Sequence, residues 1–224
     1  MKPLLLTAGV LLMAAALGAQ PAKDFQAVFA VDKKTLGIKG SNLYFPLSPG
    51  YQLSYREGKN TDTLTVLSET KVVDGVETRI VEDREMKNGQ LVELTRDYYA
   101  IDPATNDVYY MGEDVDVYKN GKIVGHEGAW LSGVNGAKFG LMMPGTPKAG
   151  QKFYQEQAPR VAEDRAEILS ITEKVTTPAG TFEKCVRAVD TSAIEKGLRD
   201  QKWYAPGIGL VKDGKMVLVK YSRP

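Results

Sequence analysis

Four two-residue turn signals, Asp74-Gly75, Asn88-Gly89, Asn120-Gly121 and Asp213-Gly214, punctuate stretches rich in Val, Ile, Thr and Tyr. Such pairs supply the positive φ angles of a type I′ turn, whose twist matches that of the strands it joins. The chain is therefore held to antiparallel neighbours. Similar stretches recur from about Tyr51 to Tyr221, and their spacing predicts strands near 51–57, 62–72, 76–87, 90–101, 107–111, 113–119, 122–127, 151–157, 164–176, 181–191, 199–205, 208–212 and 215–221. Helical patterning is confined to Lys23 to Val31 and Ser192 to Gly197, too little for crossovers between parallel strands. The expected fold is all-β: a single antiparallel meander sheet, strongly curved or forming an open barrel or sandwich.

The N-terminus adds a destination. Lys2 is a short basic region, Leu4 to Leu17 an apolar one, and Ala16-Leu17-Gly18-Ala19 offers small residues for cleavage. Residues 1–19 thus read as a signal peptide and 20–224 as a single β-rich domain, secreted or periplasmic. No later segment is long and apolar enough for an integral membrane span. Removing Lys2 leaves 28 basic and 28 acidic side chains, a balance with no electrostatic footprint for nucleic acid. Cys185 is the single cysteine, so no disulfide forms within the chain, and its strand context suits a buried thiol better than a nucleophile.

The hairpin at Asn120-Gly121 carries the only histidine, and a regular two-residue turn fixes its register. Lys119 then faces Lys122, Val117 faces Val124, Val115 faces His126 and Asp114 faces Glu127. One face collects Glu113, Val115, Val117, Val124 and His126; the other collects Asp114, Asp116, Tyr118, Ile123 and Glu127. A Glu113/His126 pair is one candidate site, with the carboxylate orienting the imidazole. Asp114, Asp116 and Glu127 are a second, offering oxygen ligands to Ca²⁺ without the spacing of a calcium-binding loop. A solvated acidic face with a satisfied inner-face histidine explains the same residues without function. His126-Glu127 opens like a zinc-protease motif, but Trp130 stands where the second histidine belongs.

Other chemistry is sparse. No Gly-x-Ser-x-Gly, Gly-x-Gly-x-x-Gly or P-loop pattern occurs. A carboxylate from Glu156, Glu163 or Asp164 could pair with Glu113 or Glu127 for hydrolysis, although a chain with 28 acidic residues offers such pairs by chance. The stretch 129–150, rich in Gly and Pro and containing Phe139, Leu141, Met142 and Met143, is the longest without a strand pattern. Met142 and Met143 could tip a lid over a ligand cavity or plug the end of the sheet. Tyr98, Tyr99, Tyr109 and Tyr110 suit cross-strand packing or a ligand groove.

The stretch Asn42-Leu-Tyr-Phe-Pro-Leu-Ser-Pro-Gly-Tyr51 resembles the opening of a group of exported bacterial β-proteins. Thr177-Pro-Ala-Gly-Thr-Phe182 and Trp203-Tyr-Ala-Pro-Gly-Ile-Gly-Leu-Val211 resemble their closing strands, and 112–144 their centre. The resemblance implies export and a β-fold and brings no activity. It leaves function open; a β-rich exported scaffold with a long apolar-tipped loop and few reactive side chains places binding ahead of catalysis. The leading expectation is an exported binding protein for a small or lipidic molecule or a metal ion, with Glu113, His126, Val115, Val117, Met142 and Met143 about the ligand. A structural or interaction component of the cell envelope and a carboxylate-dependent hydrolase are the alternatives.

Overall fold

The computed structural model describes residues 24–224. The expected signal peptide lies outside the described residues. Five long strands, β1 (Gln52–Glu57), β2 (Asn60–Val73), β3 (Val76–Lys87), β4 (Gln90–Ile101) and β5 (Val108–Lys119), form an antiparallel meander. Along the free edge of β5 follow β6 (Lys122–Gly125), β7 (Trp130–Leu131) and β8 (Lys138–Met143). Two short strands, β9 (Lys152–Tyr154) and β10 (Glu156–Gln157), lead into a second meander of β11 (Asp164–Thr177), β12 (Gly180–Ser192), β13 (Asp200–Ala205), β14 (Gly209–Asp213) and β15 (Met216–Ser222). Pairing of β1 with β15 joins the meanders into one antiparallel sheet that curls into a nearly closed barrel. One seam is unsealed, between β10 on β8 and β9 on β11.

Three of the turn signals behave as read: Asp74, Asn88 and Asn120 have φ near 50°, each followed by a glycine at positive φ. The fourth shifts by one. Asp213 pairs with Met216, so the turn residues are Gly214 and Lys215, with glycine at the first central position. The expected break in β5 is instead a kink at Gly112, whose φ of 135° suits glycine, so 107–111 and 113–119 are one strand. The stretch 129–150 is also corrected, because it contains β7 and β8; Phe139-Gly-Leu-Met-Met143 lacks alternation because both faces of β8 meet protein. Neither expected helix forms. From residue 24 the first of these segments is extended: Gln26 bridges to Phe153 of β9, and the only helical element among the described residues is a 3₁₀ turn, Lys33–Thr35.

Residues 42–51 form the floor of the barrel. The side-chain amide of Asn42 donates to the carbonyls of Asn106 (2.8 Å), Met143 (3.3 Å) and Pro144 (3.1 Å), which ties this loop to two inter-strand turns. Phe45 packs edge-on against Tyr99 with ring centres 4.9 Å apart. The two terminal motifs meet here: Gly207 N–H donates to Leu43 (2.6 Å), and the Tyr51 hydroxyl donates to Ile208 (2.8 Å). Gly209, at φ 96°, lets Pro46 approach; a Cβ at this position would lie 3.1 Å from Pro46 Cδ. Above the floor the interior is apolar, lined by Leu53, Leu64, Val66 and Val81. Its character then changes.

Candidate functional site

Alternation along the strands delivers acids to the upper interior. Side chains opposite one another in an antiparallel ladder share a face. The register aligns Asp62 with Glu85 and Glu85 with Glu93, while Val81, Asp97 and Glu113 form another cross-strand row. From the opposite wall come Asp164, Asp190 and Asp213, and from β10 comes Glu156. Together they line a cavity of about 330 Å³ with ten carboxyl groups and one ammonium, that of Lys202. Exposure increases from Asp97 and Asp190, both buried, through Asp83 and Glu93, half-buried, to Glu85, exposed at the β3–β4 end. The mouth therefore lies opposite the floor.

So many like charges around one largely buried cavity cannot all ionise. Burial is the largest influence on most of them. It raises Asp97 to about 6, against hydrogen bonds from the Tyr110 hydroxyl (2.6 Å) and from Tyr99. Glu113 is raised to about 8 by burial and then by the charge of Asp97. Burial likewise lifts Glu156, with Glu113 the next cause, and lifts Asp62 and Asp83, which lie close enough to share a proton. For Lys202 burial acts downward, but Asp190 and Asp213 outweigh it and hold the ammonium well above its ordinary range. Its Nζ lies 2.9 Å from Asp190 and 3.8 Å from Asp213. One buried oxygen on each of Asp62, Asp83 and Asp190 has no hydrogen-bond partner.

The sequence-derived candidates divide around this cavity. Glu113 and Met142 line it. Val115 shares the inner face and is buried, Val117 is half-buried one position nearer the mouth, and Met143 points into the core on the other face of β8. His126 is not beside Glu113. A bulge at Val124 pairs Val117 with Gly125, and a one-residue slip carries every later side chain to the opposite face. His126 is therefore exposed on the outside, its Nδ1 3.1 Å from Asp116 and 2.7 Å from the Val115 carbonyl. Nor do Asp114, Asp116 and Glu127 form one ligand set. Asp114 is held by Lys71 (2.6 Å) and by the Tyr98 hydroxyl, Asp116 faces His126, and Glu127 is exposed beside Gly125. Among the described residues no three His, Cys, Asp or Glu side chains are grouped to hold a metal ion.

Of the carboxylates considered for hydrolysis, Glu113, Glu156 and Asp164 do meet in the lumen, while Glu127 and Glu163 stay outside it. Sequence reading missed Asp62, Asp83, Glu85, Glu93, Asp97, Asp190, Lys202 and Asp213 as a set. A signal was present: Val81-x-Asp83-x-Glu85 and Glu93-x-Thr95-x-Asp97-x-Tyr99 place acids in phase with apolar residues. No family model, curated protein or solved structure matches the chain.

Proposed function

We propose that the protein is an exported binding protein whose lumen takes a small organic cation, with ammonium groups held between pairs of carboxylates. The observation that carries this reading is the ratio of ten carboxyl groups to one ammonium around a single cavity. Lys202 is the internal precedent, a buried ammonium that Asp190 and Asp213 flank. The unpartnered oxygens of Asp62, Asp83 and Asp190 supply further acceptors for a donor-rich guest. A volume of about 330 Å³ suits a short diamine. Such a wall suits a lipid chain poorly, because hydrocarbon would strip water from acids and return no hydrogen bonds. Spread acceptors favour an extended cation over one chelated ion. Hydrolysis by Glu113 and Glu156 is less apt, since burial raises both and leaves neither as the ionised partner that the reaction needs.

Calorimetry with 1,4-diaminobutane near neutral pH tests the proposal. Binding is expected to release protons, so the heat should change with the ionisation enthalpy of the buffer. Asp83→Asn and Glu156→Gln should each weaken binding about tenfold or more. Absence of heat, or equal affinity in both variants, would overturn the reading. A site for Ca²⁺ tighter than that for the diamine, lost in the same variants, would reassign the lumen to a metal ion.

A further inference from the structure

Beside the seam, the ladder along β5 is interrupted. β6 ends opposite Val117 and β7 begins opposite Glu113, which leaves the edge between them without a strand partner. Over this gap lies a groove of about 250 Å³, walled by Ala129, Trp130, Leu131, Val134, Ala158 and Val161. Val134 and Val161, 49% and 46% exposed, stand together on this groove beside Leu131 and Ala129 and give it an accessible aliphatic wall. The acids at the groove are Glu113 and Asp114, and Lys71 and Tyr98 already engage Asp114. Glu113 alone borders both the groove and the lumen. Trp130 is only 6% exposed, and its indole N–H is turned toward Glu113 without closing a hydrogen bond.

A groove with a largely aliphatic wall and an acidic cavity that share one carboxyl group match a guest with one charged end and one greasy end. We propose that the ligand is an amphipathic amine whose ammonium lies at Glu113, facing the lumen, and whose alkyl or aryl part lies in the groove against Trp130, Leu131, Val134 and Val161. This rests on the lumen being a cation site and narrows its ligand class. Tail and head are selected separately: the groove rewards apolar surface, and the carboxyl groups reject an anionic head of the same length.

The test uses the full chain with Trp203→Phe, which leaves Trp130 as the only indole reporter. Primary alkylamines from propyl to hexyl are titrated, with hexanoate as the charge-reversed control and 1,4-diaminobutane as the tailless one. Affinity should rise about three- to fourfold per methylene, with a change in Trp130 emission. Val134→Asn and Val161→Asn, both at exposed positions, should weaken hexylamine about tenfold and leave diaminobutane within twofold. If diaminobutane binds but the alkylamine series is flat, the groove inference falls and the lumen reading stands. If hexanoate matches hexylamine, the groove is a general apolar patch and the inference also falls. If no amine binds, both fall.

Discussion

Raising the pH from about 5 to about 9 should loosen the barrel when no cation is added. A carboxyl whose pKa rises on folding stays protonated in the lumen while the unfolded chain has already ionised. Between the two pKa values the folded state holds more protons, so stability declines with pH. The contribution is complete below about pH 4 and is lost as pH rises through about 6 for Asp97 and about 8 for Glu113. Each pKa unit corresponds to about 1.4 kcal/mol, so Glu113, moved from 4.5 to about 8, accounts for roughly 4 kcal/mol within the window. Asp97, largely ionised by mid-range, adds roughly 1 kcal/mol. Asp74, which Lys33 holds below the ordinary range, acts in the opposite sense but only at lower pH. For a chain of this size a loss of about 4 kcal/mol lowers Tm by about 10 °C. Urea and thermal melts across the range measure it; Glu113→Gln should reduce the slope, the raised Glu156 and Asp83 supplying part of what remains, and should melt above the parent protein at about pH 9. Stability that is flat or rising across the range, or an unchanged slope in Glu113→Gln, would refute the electrostatic account of the lumen. Added diamine should restore stability at the alkaline end.

Four further outcomes follow from the geometry. Gly112→Ala places a Cβ against the Trp130 carbonyl and Leu131 Cα at a φ of 135°, and should cost about 2 kcal/mol or more in urea unfolding. Asn42→Ala removes the two N–H groups that three carbonyls of the turns share and the Oδ1 that accepts from Tyr44 N–H, and should cost about 2–3 kcal/mol in the same assay. His126→Ala, at an exposed contact with Asp116, should change stability by less than about 1 kcal/mol and leave diamine affinity unaltered. Cys185, fully buried and raised to about 11, should resist a thiol reagent in the native protein and react once urea unfolds it.

Turn chemistry made the barrel's walls legible. Asn88-Gly89 and Asp74-Gly75 set the pairing of β2, β3 and β4, and the strands they join end within one or two residues of where Val, Thr and Tyr patterning places them. The hairpin at Asn120-Gly121 shows where such reading stops. Its first two pairs are as expected, but Val124 bulges, and nothing in Lys-Ile-Val-Gly-His marks the extra residue, because valine suits a bulge as well as a ladder. The acids of the lumen were obscured for another reason. On β3 both faces mix charge with apolar residues, Val81, Asp83 and Glu85 on one and Ile80, Glu82 and Arg84 on the other. Which face turns inward is decided by closure of β1 against β15, a contact between the two ends of the sheet to which local alternation is blind.

That closing contact also orders events in time. Gln52 pairs with Ser222, so nearly the whole described chain must be present before the last ladder forms, and loop closure over such a span is slow. Until then Asp62, Asp83, Asp97 and Glu113 stand on an open sheet facing water, ionised like any surface acid. Their solvation is given up only when the second meander wraps over them. The step that seals the barrel is therefore the step that takes up protons, and its rate should slow as the solution becomes more alkaline. The acidic chamber is thus completed only with the closing ladder between β1 and β15.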